Sequence, residues 1–326
     1  MKELIKQEVL QRMLPLLDNA QIKALDQTLE SVLNQYIEGK PDKDAISSQE
    51  LLQKFLEAKR IEGCSEKTLS YYQKTIDRML EKVGKEVIHI MTEDLRAYLT
   101  DYQRQSNLSR VTIDNVRRIL SSFFSWLEDE EYLIKSPIRR IHKVKTTSNI
   151  KDTYSDEDLE KMRDNCDEKR DLALIDMLAS TGMRVGELVL LNQTDIDFNE
   201  RECKVLGKGN KERIVYFDAR TKIHLQEYLK ERNDNNNALF VSLKSPHNRL
   251  TISGVESRVR EIGKRLNIEK VHPHKFRRTL ATKAIDKGMP IEQLQQLLGH
   301  KRIDTTLQYA MVKQSNVKLA HKKYIG

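Results

Sequence analysis

Six residues in the second half of the chain have side chains suited to one kind of chemistry. They fall in four short stretches: Arg184 in "STGMRVGELVLL", Lys208 in "ECKVLGKGNKERIVYF", His274 and Arg277 in "HPHKFRRTLAT", and His300 and Tyr309 in "LLGHKRIDTTLQYA". Two arginines can grip the non-bridging oxygens of a phosphodiester with permanently charged forks. Histidines can add hydrogen bonds as charge builds up there. A lysine on a turn can protonate a departing alkoxide. A tyrosine hydroxyl can attack phosphorus and hold it covalently. No paired carboxylates at metal-ligand spacing accompany them, so the chemistry these residues fit is phosphoryl transfer without a metal. Taken singly, each stretch is ordinary: an arginine after a glycine is mostly solvated, a Gly-Lys-Gly-Asn turn is mostly a surface hairpin, and a tyrosine on a helix is mostly core. The conjunction, in this order, is what carries the reading. Glu187, one turn beyond Arg184, is placed to brace its guanidinium or to lie exposed on the helix.

Over residues 154–312 these motifs resemble the catalytic domain of the tyrosine recombinases, the phage-integrase and Xer family. "TGMRVGEL" resembles that family's first arginine motif, "LGKGNKERIVYF" its β-hairpin motif, "HPHKFRRTLAT" its H-x-x-R box and "LLGHKRIDTTLQYA" its closing motif. The resemblance implies that Tyr309 is the nucleophile, Lys208 the general acid, Arg184 and Arg277 the phosphate clamp, and His274 and His300 the supporting donors. Arg278 stands where Xer proteins usually carry histidine, which implies a phosphate contact or a supporting role. The implied reaction runs through a 3′-phosphotyrosyl link and a Holliday junction, with neither metal nor ATP nor any other cofactor. The implied partners are double-stranded DNA recombination sites and three further copies of the chain, joined by exchange of C-terminal tails in a homotetramer. An accessory directionality factor is a further candidate partner. A mobile-element integrase is the expected role. Xer-type dimer resolution, a type IB topoisomerase-like activity and an inert DNA-binding factor stay open as alternatives.

The elements that must position these residues follow from periodicity and punctuation. Residues 2–16 and 20–38 read as an amphipathic helical hairpin, stopped by Gly39 and Pro41. Four helices follow within a hundred residues, the first two opened by serines and closed by Gly63 and Gly84, and Pro137 closes the set. Their size and pattern resemble the family's helical, SAM-like core-binding domain. The polar, basic stretch 142–153 reads as a linker. Beyond it come helices, a β-hairpin at 202–217, a short strand at "ALFVS" and further helices. The expected fold class is therefore mostly α with a small β-hairpin or sheet. The expected domains are a hairpin extension (1–45), a DNA-binding domain (46–141), a linker (142–153) and a mixed α+β catalytic domain with an exchange tail (154–326). The resemblance implies a C-shaped clamp on DNA. Leu319 and Tyr324 are the tail residues that could dock on a neighbour. Trp126, beside Phe123 and Phe124, reads as core.

Charge points the same way. The net charge is +8, with a pI of about 9.1, a bias toward polyanions. Residues 1–45 hold 6 basic and 8 acidic side chains, so the excess lies further along. Arg110, Arg117, Arg118, Arg139, Arg140, Lys143 and Lys145 are the candidate DNA-backbone contacts. Contacts of that kind position a protein without reading sequence. Three scattered cysteines, Cys64, Cys166 and Cys203, suit a reducing compartment and indicate neither disulfide nor zinc site. No apolar run is long enough for a membrane span. The expected location is the cytoplasm, in association with the nucleoid.

Overall fold

The computed structural model describes residues 2–38, 46–106, 108–145, 152–207 and 212–309, together with the isolated positions 321 and 325. Lys208, Leu319 and Tyr324 lie outside the described residues. The chain divides into two compact units, Met1–Ser148 and Asn149–Gly326. Among the described residues no helix is long and apolar enough to cross a membrane.

The first unit is helical: α1 (Lys2–Met13), α2 (Asn19–Glu38), α3 (Ser48–Ile61), α4 (Glu66–Val83), α5 (Thr92–Ser106) and α6 (Arg110–Asp129). Helix α1 is shorter than the sequence pattern suggests. It stops before Pro15, which disfavours helical backbone at the residue preceding it. Lys6 ties α1 to α2 through Asp26 and Glu30, at 3.0 and 2.7 Å. Serine side chains cap the next helices: Ser47 forms a reciprocal box with Glu50 at α3, and Ser65 and Ser109 cap α4 and α6. The apolar faces of α3 to α6 meet in a core of Leu52, Phe55, Ile76, Met79, Leu95, Phe123 and Phe124. Trp126 packs at its edge, 5.7 Å from Phe55.

The second unit contains α7 (Asp156–Asp164), α8 (Lys169–Thr181), α9 (Val185–Leu188), β1 (Ile196–Asp197), β2 (Glu202–Leu206), β3 (Glu212–Tyr216), α10 (Ala219–Glu231), α11 (Ile252–Arg265), α12 (Pro273–Asp286), α13 (Ile291–Leu298) and α14 (Ile303–Leu307). Helix α8 is its spine. Ala173, Leu174, Ile175, Met177 and Leu178 are all buried, and the helix packs against α10 and α12. The three strands form an antiparallel meander, β1-β2-β3. In its register Cys203 faces Val215 and Val205 faces Arg213. Cys203, Val205 and Val215 turn inward, while Lys204, Leu206, Ile214 and Tyr216 are exposed, the period-two alternation of a sheet with one wet face.

The structure corrects one expectation about strands. The stretch "ALFVS" makes only single bridges, Asn192 to Ala238 and Val241 to Arg249. Arg232 Nη1 donates to the carbonyls of Ala238 and Leu239 at 2.6 and 3.2 Å, so those acceptors are bound to a side chain. The third strand of the sheet is instead the two-residue β1, too short for a pattern to reveal.

Candidate active site

Gly182 begins the geometry. It ends α8 in left-handed backbone, φ +60°, and a Cβ there would meet Leu280 Cδ2 at 2.5 Å. Glycine alone makes this turn cheaply. Two residues on, Arg184 sits in extended backbone as the N-cap of α9. Glu187, buried at the third position of α9, reaches back to accept from the Arg184 backbone N–H at 2.8 Å and from Arg184 Nη1 at 2.9 Å. Glu187 thus braces the Arg184 guanidinium and does not lie exposed on the helix.

Glu187 has a second, stronger partner that sequence reasoning passed over. Arg213 on β3 forks onto both its carboxylate oxygens, at 2.7 and 2.8 Å. Its Nε donates to the Leu297 carbonyl at the end of α13. Burial pushes Glu187 up, but hydrogen bonds from Arg213 and then Arg184 outweigh it, so the carboxyl lies below its ordinary range. A signal for Arg213 did exist. In "ERIVYF" it shares the inward face with Val215, and a cation at a core-facing strand position requires a buried anion.

Helix α12 opens with Pro273 at its first turn, where a missing N–H costs nothing. His274 is exposed near its start, and Arg277, three residues on, is only 1% exposed. The Arg277 guanidinium donates to the carbonyls that end two helices, Gly182 at 2.8 Å and Leu298 at 2.5 Å. It also donates to His300 Nε2 at 2.9 Å. Its Nε is buried without a partner among the described residues, a donor that an anion would satisfy. Burial and then the nearby Arg184 lower the Arg277 pKa to about 10, which leaves it cationic at neutral pH.

His300 follows Gly299, the left-handed C-cap of α13. Since a guanidinium only donates, His300 Nε2 accepts, and Nδ1 is the protonated nitrogen that bonds Thr306 Oγ1 at 2.8 Å. Burial, with Arg277 and Arg184 next, drives the His300 pKa down to about 4, so the ring is neutral. Tyr309, just beyond α14, stacks on this ring at 5.9 Å between centroids. Arg184, His274 and Arg277 share a cavity of about 620 Å³, whose apolar wall includes Val185, Leu190 and Ile252. Gly207, the residue before Lys208, also lines it.

The structure therefore draws Arg184, His274, Arg277, His300 and Tyr309 into one continuous site, with Glu187 beneath. Arg278 is directed elsewhere: its Nη1 donates to the Asp152 carbonyl at 2.8 Å. In the first unit, Arg117, Arg139 and Lys143 line one groove of about 500 Å³. Arg117 there is held by buried Asp114 at 2.9 Å, and Arg139 lies 3.4 Å from Glu128. Arg110, Arg118, Arg140 and Lys145 are exposed. Among the described residues no group of three or more His, Cys, Asp or Glu is arranged to hold a metal ion.

Comparison with known proteins covers both units. The model of the phage integrase family matches residues 153–316, and that of the phage integrase N-terminal SAM-like domain matches 51–134. Tyrosine recombinase XerC of Oceanobacillus iheyensis is 32% identical over 286 residues, 82% of this chain and 93% of that protein. Among solved structures, the XerH site-specific recombinase bound to a palindromic difH substrate aligns with a TM-score of 0.67 at 22% identity, covering 97% of this chain and 94% of that one. The Tn1549 transposon integrase in complex with circular intermediate DNA aligns with a TM-score of 0.67 at 18% identity, covering 86% and 99%.

Proposed function

Because the chain belongs to the phage integrase family of tyrosine recombinases, enzymes that transfer DNA strands, we propose that Tyr309 is its nucleophile and that the cavity beside Arg184 and Arg277 receives the scissile phosphate. The observation that carries this is the chain of contacts from Arg277 through His300 to Tyr309. It sets the Tyr309 ring against a histidine that is bonded to a buried guanidinium, and that guanidinium has one N–H without a partner among the described residues.

In this reading the Tyr309 oxygen bonds phosphorus and the bond to the 5′-oxygen breaks. The phenolic proton is lost, and Lys208 delivers a proton to the 5′-oxygen. Lys208 is assigned on its motif alone, since it lies outside the described residues. Arg184 and Arg277 stabilise the charge on the non-bridging oxygens. His274 acts as base or positions the phosphate. For His300 to donate to the phosphate, Arg277 must exchange Nε2 for a phosphate oxygen and the ring must rearrange its proton. Arg278 supports the site through the linker carbonyl that it holds. A 5′-hydroxyl from a second duplex reverses the chemistry, so bond energy is conserved in the phosphotyrosyl link and ATP is not required.

The substrate is double-stranded DNA, gripped along its backbone by residues of the 46–141 domain, with the groove of Arg117, Arg139 and Lys143 as the centre of the contact. Residues 1–45 are an added helical extension, 142–153 the linker and 154–326 the catalytic domain. Four copies assemble on paired sites through tail exchange, with an accessory factor setting direction. The biological role proposed is integration and excision of a mobile element. Xer-type dimer resolution is the second reading, beside a XerC relative that aligns over 82% of this chain.

The test uses nicked duplexes carrying the ends of the DNA that flanks the coding sequence. The parent protein is expected to form an SDS-resistant 3′ adduct without added metal, and Tyr309→Phe to form none. Binding of validated sites without an adduct from the parent would overturn the catalytic reading. An adduct that survives in Tyr309→Phe would move the nucleophile to another tyrosine.

A further inference from the structure

Glu187 lies between two arginines, and it serves them unequally. Arg213 is largely buried, its side chain 13% exposed, and it covers both carboxylate oxygens with a two-pronged fork. Arg184 is 40% exposed and reaches Oε1 through Nη1 alone, sharing that oxygen with Arg213. Its Nη2 is 3.5 Å from the Gly299 carbonyl, the outer limit of a hydrogen bond. The Arg213 fork is the geometry in which a guanidinium neutralises a carboxylate most fully. The single Arg184 contact fixes direction and leaves that arginine's other donors beside the cavity that it lines.

We propose that Arg213 is a positioning residue that occupies the charge of Glu187, so that Arg184 remains an uncompensated cation for the scissile phosphate. This rests on the reading of Arg184 as a phosphate ligand. The physical reason is that a buried carboxylate must have a cation. Glu187 is 4% exposed, and without Arg213 its available counterion is Arg184. The fork would then close on Arg184, and the pocket would meet an anionic phosphate with a neutral pair. With Arg213 in place, Arg184, Arg213 and Arg277 stand against one carboxylate, and two positive charges are left for the substrate. Arg213 is also fixed where it must be. It projects from the inward face of β3, its Nε is bonded to the end of α13, and a Cβ on Gly299 would lie 2.9 Å from its Cδ. The other account of these contacts is a strut that merely joins the hairpin to the helices.

Charge and strut separate in a double variant and in a neutral substrate. Single-turnover cleavage is measured on the nicked duplex for Arg213→Gln, Glu187→Gln and the double variant. It is repeated with a methylphosphonate at the scissile position, which removes the charge that Arg184 would meet. Arg213→Gln is expected to slow cleavage of the phosphodiester about 100-fold. On the methylphosphonate it should fall within about tenfold of the parent on that substrate. Adding Glu187→Gln should recover at least about tenfold of the lost rate, since it removes the carboxylate that captured Arg184. A double variant as slow as Arg213→Gln, or equal loss on both substrates, would overturn the proposal in favour of the strut. Arg213→Lys covers the case in which the glutamine variant does not fold. It should stay within about tenfold of the parent, and a loss as deep as that expected of glutamine would count against the charge account. Arg184→Ala is run on both substrates. If the neutral substrate fails to relieve its defect while the parent cleaves that substrate, the fault lies in the reading of Arg184 as a phosphate ligand, independently of Arg213.

Discussion

His300 is kept neutral by burial and then by the arginine it touches, and that has a measurable sign. The unfolded imidazole takes a proton near pH 6.5, whereas the folded ring holds out to about 4. Between those values the unfolded state binds more protons, so the His300 contribution is fully present above the upper value and is lost as pH falls toward the lower one. Histidine NMR titration should place this ring near 4, and His300→Gln should flatten the fall of Tm with acid across that window. A ring titrating near its ordinary value would mean that the buried setting of His300, with its Arg277 contact, does not persist in solution. Gly299 makes a second case. Its φ of +64° and its contact with Arg213 leave no room for a side chain. Gly299→Ala should cost about 1–2 kcal/mol from the left-handed backbone alone and should slow cleavage by displacing Arg213. Thermal denaturation and adduct formation read the two effects separately. Arg184, Arg277 and His300 were legible because each sits in a motif with its own spacing. For Arg213 the strand alternation marks an inward cation, but the carboxylate that gives it importance is 26 residues away, a pairing that no local pattern encodes.

The helices were legible where chemistry punctuates them. Ser47, Ser65 and Ser109 open α3, α4 and α6 as side-chain caps, and left-handed glycines close α4, α8 and α13. Such signals act within one turn, so a single sequence carries them. The sheet was harder. Its hairpin is local and legible from its turn, but β1 pairs through two residues only, and the apolar run at 238–242 has the composition of a strand while two of its carbonyls are taken by the Arg232 side chain, a competitor that strand patterning does not register. The caps make a direct prediction. Ser109→Ala removes the acceptor for the Thr112 N–H at the start of α6 and should lower the stability of the first unit by about 1 kcal/mol. Urea unfolding checks this. A change within about 0.5 kcal/mol would mean that solvent caps the helix as well as the serine does.

Across the molecule, charge and connection matter more than any single contact. A chain with net charge +8 that lies along a duplex should lose affinity steeply with salt, by a slope of about 0.9 per phosphate neutralised. Arg118 is exposed on α6 and Lys143 lines the groove. Arg118→Ala and Lys143→Ala should each weaken binding to all sequences alike and each shallow that slope by about one contact. An unchanged slope in gel-shift titrations would remove that residue from the interface. Arg117→Ala should behave differently, because it also strips buried Asp114 of its counterion and so costs stability as well. The last feature is where the second unit begins. Asp152 gives its carbonyl to Arg278, Tyr154 donates its backbone N–H to Thr279 Oγ1 at 2.9 Å, and its ring packs 4.7 Å from Phe276. All three partners lie on α12, the helix that carries His274 and Arg277. In mechanical terms Asp152 is an anchor point of the second unit. A pull on it is delivered straight to the bar on which two of the phosphate-facing side chains are mounted.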